Sequence, residues 1–93
     1  MATPPFYYTY VLFSERDKRL YIGSTSNLKN RVEKHRTGNV SATKGRLPVK
    51  LIFFEGYRNK YDALRREDYF KTAKGKQTLR NMLKEYFHNG EVA

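Results

Sequence analysis

The chain has 93 residues and carries 19 lysine and arginine side chains against 9 acidic ones, so its formal net charge is +10. This length suits one domain, and the lack of cysteine excludes disulfides, cysteine-ligated zinc and a thiol nucleophile. No apolar run approaches the ~20 residues of a membrane span and the N-terminus does not resemble a leader peptide, so we expect a soluble, cytoplasmic protein. The excess positive charge favours a polyanionic partner, above all nucleic acid.

The first half of the chain predicts a hairpin followed by a helix. Residues 6–13 are aromatic and β-branched and alternate between two apolar faces, which is typical of a strand. Residues 19–22 form a second strand that pairs with the first, and Gly23 is expected to end it. Capping side chains precede a helix over about residues 27–36, and a polar, basic loop follows at 38–48.

The second half adds one strand and two helices. Residues 49–54 form a third strand, with Gly56 as its break. A helix runs from about 59 to 72, and the lysine-flanked glycine at 74–76 is expected to separate it from an amphipathic helix over 79–87. The order β-β-α-β-α-α predicts one small α/β sandwich with a mixed or antiparallel sheet.

Two polar residues lie on the inward side of the first predicted helix. Arg31 and His35 are one turn apart, close to the apolar positions Leu28 and Val32. Each has an ordinary interpretation, since Arg31 can extend along an edge to water and His35 can be a hydrogen-bonded core residue. Their joint placement on the inward side makes each ordinary interpretation less attractive.

A carboxylate interrupts the apolar stripe of the second predicted helix. Glu67 lies among Ala63, Leu64 and Phe70. Because an unpartnered buried carboxylate is strongly disfavoured, Glu67 needs an arginine, a hydrogen-bond network, a metal ion or a cleft. An internal salt bridge, for instance to Arg31, and a functional role both satisfy this need.

Two tyrosines of the predicted hairpin, Tyr10 and Tyr21, complete a coherent chemistry if they converge with these residues. The carboxylate can hold a divalent cation through oxygen, the guanidinium can clamp a phosphate, and a phenol near cations can act as a base. Such a set fits hydrolysis of a phosphodiester.

Five ordered elements of the chain resemble the GIY-YIG nuclease superfamily, in particular its small stand-alone bacterial members. These elements are YIG at residues 21–23, the tyrosine of GIY at the end of 8–10, a helix at 27–35, a third strand at 48–55 and an Arg-Glu element at 65–67. The resemblance covers the expected domain at residues 6–87, with flexible tails at 1–5 and 88–93.

The resemblance implies a three-stranded antiparallel sheet flanked by three helices and a one-metal mechanism of DNA hydrolysis. In that mechanism Glu67 would hold Mg²⁺ or Mn²⁺, and Arg31 would stabilise the charge on the phosphorane. Either Tyr10 or Tyr21 would deprotonate the attacking water. His35 would hydrogen-bond a tyrosine hydroxyl or relay its proton.

One departure distinguishes the chain from the related excision-repair subunit UvrC. Ser24 stands where that subunit has a lysine that assists its base, so the two proteins are not to be equated. Repair, recombination and defence against mobile elements all stay open as pathways.

The cations expected to follow a phosphate backbone lie in the basic loop and near the end of the second predicted helix: Lys44, Arg46, Lys71 and Lys74, with Thr43 beside the first two. The resemblance also implies DNA, bound non-specifically or by structure, as substrate and a possible partner protein that supplies specificity. One alternative is a nucleic-acid-binding module with the nuclease fold and little or no catalysis. Another is a ribosomal-protein-like RNA binder, which would leave Glu67 unexplained.

Overall fold

The computed structural model describes residues 4–88, so most of both expected tails lies outside the described residues. The elements in this part of the chain are β1 (Tyr7–Ser14), β2 (Leu20–Thr25), α1 (Leu28–Arg36), α2 (Ser41–Lys44), β3 (Val49–Tyr57), α3 (Lys60–Phe70), α4 (Ala73–Met82) and α5 (Lys84–Tyr86). The strands and the three longer helices keep the predicted order, while α2 is an additional short helix.

The three strands form one antiparallel sheet in the order β2-β1-β3, which confirms the predicted fold class. Tyr10 in the central strand lies opposite Gly23 in β2 and Phe54 in β3. The register of β1 against β3 shifts between Val11 and Leu12, where β3 contains one extra residue. Since β1 has a partner on each side, β2 is left as an edge strand.

The central strand buries both of its faces, as the alternation of apolar residues predicts. On one face Val11 packs with Ile22 of β2 and with the helices α3 and α4 through Phe70 and Leu79. On the other face the core is formed by Tyr10, Leu12 and Val49. Each fully buried large apolar side chain contributes about 1.5–3 kcal/mol, so the sheet is held between two apolar layers.

The strands are longer than predicted because two glycines do not end them. Strand β2 continues through Gly23 to Thr25, and β3 continues through Gly56 to Tyr57. At position 23 the missing side chain accommodates the Tyr10 ring, since an added Cβ would lie 2.6 Å from Tyr10 Cζ. This glycine therefore permits a close approach within the sheet.

The break predicted at 74–76 is wrong, because these residues lie inside α4. Thr72 caps that helix by accepting a hydrogen bond from the Gly75 amide at 2.9 Å, so α3 and α4 separate at residues 71–72. Gly75 is buried against the Tyr69 carbonyl, where no Cβ would fit. The predicted final helix is also divided, into α4 and the one-turn α5. Within residues 4–88 no helix has both the length and the apolar character needed to cross a bilayer.

Candidate active site

Tyr10 lies at the centre of a buried hydrogen-bond network. Its side chain is 1% exposed, and its hydroxyl is 2.8 Å from His35 Nε2. Arg31 Nε donates to the same hydroxyl at 3.4 Å. Burial raises the pKa of Tyr10, although the hydrogen bond from Arg31 opposes the rise. The inward placement that the sequence predicts for Arg31 and His35 thus brings both to one phenol.

His35 is fully buried and is held from both ring nitrogens. Its Nδ1 is 2.7 Å from Thr43 Oγ1, which the short helix α2 supplies. Burial and then the charge of Arg31 lower the pKa of His35 to about 4, so the ring is neutral at pH 7. Because Arg31 can only donate, we assign the Tyr10 proton to the bond with His35 Nε2. The histidine then carries its own hydrogen on Nδ1 and donates it to Thr43.

Tyr21 lies next to this network and is less buried than Tyr10. Its ring centroid is 5.1 Å from that of His35 and 6.4 Å from that of Tyr10. The pKa of Arg31 is raised, chiefly by its bond to Tyr10 and to a lesser degree by Tyr21. The guanidinium is therefore close to both phenols.

Glu67 approaches β2 from the opposite face of the sheet, on α3. Its Oε1 accepts a hydrogen bond from Ser24 Oγ at 2.7 Å, and its Oε2 is 2.7 Å from Lys71 Nζ, one helical turn away. The Glu67 side chain is 16% exposed, so water reaches it. Lys71, and not Arg31, is therefore its ionic partner.

The site consists of two groups of side chains, one on each face of the sheet, and both lie beside the edge strand β2. In β2, Tyr21 packs with the Tyr10 side of the sheet, whereas Ile22 and Ser24 face α3. The pKa of Tyr10 is raised first by burial and to a lesser degree by Tyr21 and Glu67. The pKa of Lys71 is raised first by Glu67 and also by Tyr21. The two groups of side chains thus lie within electrostatic reach of each other.

The cations predicted to follow a phosphate backbone occupy different environments. Lys71 is part of the site, through its ion pair with Glu67. Arg46 binds Asp17, with Nε 2.6 Å from Oδ2, and this bond lowers the pKa of Asp17 to about 2. Lys44 and Lys74 are exposed. Thr43 does not belong to this surface, because it is fully buried beneath His35.

Sequence reasoning gave two residues of the site other roles and missed the partner of a third. Thr43 was expected on the phosphate-tracking loop but binds His35, because its segment of four helical residues is too short for a periodic pattern to show its buried side. Ser24 was noted only as a departure from a relative, yet its hydroxyl binds Glu67. The spacing of Glu67 and Lys71, four residues apart on a helix, is a signal that would have found their pairing.

The donor set fits one divalent cation of the magnesium type. Among residues 4–88 there is no cluster of three or more His, Asp or Glu side chains that would enclose a metal. Mg²⁺ keeps several waters and binds one or two carboxylates together with substrate phosphates, so one carboxylate that water reaches is sufficient. A divalent ion at Glu67 would have to compete with the Lys71 ammonium, which lies 2.7 Å from Oε2. Glu67 would supply the protein ligand.

Comparison with known proteins identifies relatives over most of the chain. Residues 6–81 match the GIY-YIG catalytic domain. The chain is 42% identical over 73 residues to a UPF0213 protein of Clostridium perfringens, covering 77% of each. It is 37% identical over 89 residues to a UPF0213 protein of Pediococcus acidilactici, covering 92% of this chain and 86% of the relative. These matches confirm the resemblance carried by the motifs.

Proposed function

The chain belongs to the GIY-YIG catalytic domain family, and from this premise we propose that it is a divalent-metal-dependent endonuclease that hydrolyses phosphodiester bonds in DNA. The observation that carries the proposal is the position of Glu67. Its partly exposed carboxylate lies beside an ammonium and around the edge of β2 from two phenols and the Arg31 guanidinium. Carboxylate, cations and phenol are the groups that this reaction requires.

Tyr21 is the better candidate for the base that takes a proton from the attacking water. Tyr10 is fully buried, its hydroxyl is bonded to both His35 and Arg31, and burial raises its pKa. Tyr21 is only partly buried and lies next to Arg31. We therefore assign the proton transfer to Tyr21. Tyr10 instead orients Arg31 through the hydrogen bond to its hydroxyl.

Arg31 and a metal ion at Glu67 would stabilise different negative charges of the reaction. The guanidinium stabilises the charge that develops on the phosphate during attack. Glu67 would hold a divalent ion, which would supply Lewis-acid stabilisation of the departing 3′ oxygen. Ser24 keeps the Glu67 carboxylate in place through its hydroxyl.

The test is incubation of the purified protein with supercoiled, branched and single-stranded DNA in the presence of Mn²⁺. We expect cleavage of at least one substrate by the wild type and its loss in Glu67→Gln, which keeps the shape of the side chain and removes its charge. Glu85→Gln, at an exposed acid of α5, is the matched control and should cleave normally. Normal cleavage by Glu67→Gln would contradict the proposal.

One observation favours a second candidate, a nucleic-acid-binding module with the same fold and little catalysis. The Lys71 ammonium already neutralises Glu67, as a purely structural ion pair would. This alternative predicts DNA binding by the wild type without cleavage of any of the three substrates.

A further inference from the structure

A cleft lies near the start of β2, at the opposite end of this strand from Ser24, whose hydroxyl binds Glu67. It has a volume of about 450 Å³ and is lined by residues of the β1–β2 turn, the start of β2, the segment before β3 and helix α4: Asp17, Arg19, Leu20, Arg46, Lys76 and Arg80. Four of these six residues are basic and one is acidic. A cleft lined mainly by one sign of charge concentrates ions of the opposite sign.

The single acid of this cleft is already engaged. Arg46 Nε is 2.6 Å from Asp17 Oδ2, and Arg46 Nη2 donates to Asp17 Oδ1 and to the Leu20 carbonyl, each at 3.3 Å. The Arg46 side chain is 24% exposed and is held in one orientation by these contacts. Asp17 therefore neutralises Arg46 and leaves the other cations of the cleft uncompensated.

Three further cations converge on the cleft without an acidic partner. Within residues 4–88 no ion pair joins Arg19, Lys76 or Arg80 to a carboxylate, and the contact recorded for Arg80 is with the ring of Phe87 at 5.3 Å. Lys76 and Arg80 are four residues apart on α4, a spacing at which like charges destabilise a helix. A bound anion would relieve this repulsion.

The cleft lies on the same side of the sheet as Glu67. Leu20 and Ile22 pack toward α3 and α4, and Ser24, two residues further along the same face, binds Glu67. From Leu20 to Ser24 the strand rises by about 13 Å at ~3.3 Å per residue. Measured along the axis of duplex DNA, this length corresponds to about four base pairs at ~3.4 Å each.

We propose that this cleft binds a backbone phosphate of the substrate, further along β2 from the phosphate at Glu67. Arg46 provides a fixed guanidinium at its wall, and Arg19, Lys76 and Arg80 provide the uncompensated charge. The assignment of the phosphate to a DNA strand rests on the proposed function, whereas recognition of a phosphate group rests on the cleft itself.

The test measures DNA binding in EDTA, so that hydrolysis does not contribute. Fluorescence anisotropy of a short duplex is followed at increasing salt for the wild type and for the double variant Lys76→Gln/Arg80→Gln. We expect the slope of log K against log salt to become shallower by about one, because the cleft holds one phosphate and each phosphate contact contributes ~0.9 to the slope. An unchanged slope would overturn the proposal.

The control variant also removes two positive charges, but at positions outside the cleft. Lys34→Gln/Arg58→Gln alters exposed cations of α1 and of the β3–α3 turn, outside the cleft, and should keep the wild-type slope. An equal decrease in both double variants would also overturn the proposal, since it would reflect overall charge and no particular cleft.

A second measurement distinguishes a DNA strand from a free phosphate. Amide signals of Leu20 and Lys76 in ¹H–¹⁵N spectra are followed during titration with the duplex and, separately, with inorganic phosphate. We expect shifts at micromolar duplex and much weaker binding of phosphate alone. Tight binding of inorganic phosphate with no response to DNA would overturn the assignment to a strand. A shallower slope in a protein that cleaves no DNA would support the cleft and refute the nuclease proposal.

Discussion

Gly23 and Tyr10 face each other across two strands, and the missing side chain of one leaves the space that the ring of the other occupies. An added Cβ at position 23 would lie 2.5 Å from the Tyr10 hydroxyl oxygen. The same hydroxyl is bonded to His35 and Arg31. Gly23, the glycine of the YIG motif, therefore affects the site by leaving room for Tyr10 to reach these partners.

We expect Gly23→Ala to lower the free energy of unfolding by about 1–3 kcal/mol, because the buried ring must move. Urea denaturation measures the change. Gly45→Ala is the control, since an added Cβ at Gly45 has no neighbour within 4 Å and should leave stability nearly unchanged or slightly higher. Equal stability of the Gly23→Ala variant and the wild type would contradict this account.

His35 makes the stability of the protein dependent on pH in the acidic range. Its pKa is lowered from 6.5 to about 4 by burial and by Arg31, so the folded state resists protonation of the ring more than the unfolded state does. The contribution is complete above the unfolded pKa and is lost as the pH falls from about 6.5 to about 4. We expect a loss on the order of 3 kcal/mol in the wild type between pH 7 and about pH 4.

The measurement is the urea midpoint at both pH values for the wild type and for His35→Gln, which cannot titrate at this position. The variant should lose less stability than the wild type over the same interval. If both lose the same amount, the acid sensitivity arises from other groups.

Lys71 competes with any cation that Glu67 would hold, since its ammonium is 2.7 Å from the carboxylate. We expect Lys71→Gln to bind Mn²⁺ about twofold to fivefold more tightly without DNA, which corresponds to the ~0.2–1 kcal/mol of a partly exposed ion pair. Titration calorimetry measures the affinity, and Lys34→Gln, on α1, is the control. Unchanged or weaker Mn²⁺ binding by Lys71→Gln would remove the role of Lys71 as competitor.

At the scale of elements, periodicity predicted the three strands and the three longer helices, but glycines were misread as breaks. Gly23 and Gly75 lie inside regular elements. They are glycines there because another part of the chain passes too close for a side chain. Such an approach depends on tertiary neighbours, which a pattern within one segment does not contain. The short helix α2 was missed for a related reason, since four residues carry no periodic signal.

Gly75 gives a prediction whose sign is opposite to helix propensity. Alanine is favoured over glycine inside a helix by ~1 kcal/mol, yet an added Cβ at position 75 would collide with the Tyr69 carbonyl at the α3–α4 connection. We expect Gly75→Ala to lower the free energy of unfolding by roughly 1–3 kcal/mol, measured by urea denaturation. Gln77→Ala, exposed on the same helix, should have little effect. A stabilised Gly75→Ala variant would contradict the described packing.

At the scale of the whole molecule, the candidate site draws on five elements and surrounds an edge strand. Arg31 and Glu67 were each identified by their position on an apolar stripe, but the sequence could not tell which groups from different elements meet. The spacing of Glu67 and Lys71 indicates their ion pair, whereas the pairing of Glu67 with Ser24 and of His35 with Thr43 follows from the packing of α3 and α2 against the sheet. The prediction that these residues lie together came from the resemblance to the family, because the pattern within any one segment does not indicate it.

The proposed contact with DNA rests on the net charge of +10 and on the cation-lined cleft, which lies on the same side of the sheet as Glu67. The central claim is that a divalent ion joins this side of the molecule at Glu67 when DNA is bound. The most direct measurement is paramagnetic broadening of the Ser24 and Glu67 amide signals by Mn²⁺ in the presence of a short duplex, for the wild type and Glu67→Gln. We predict strong broadening in the wild type and its loss in the variant, whereas unbroadened wild-type signals, or equal broadening in both proteins, would contradict the claim.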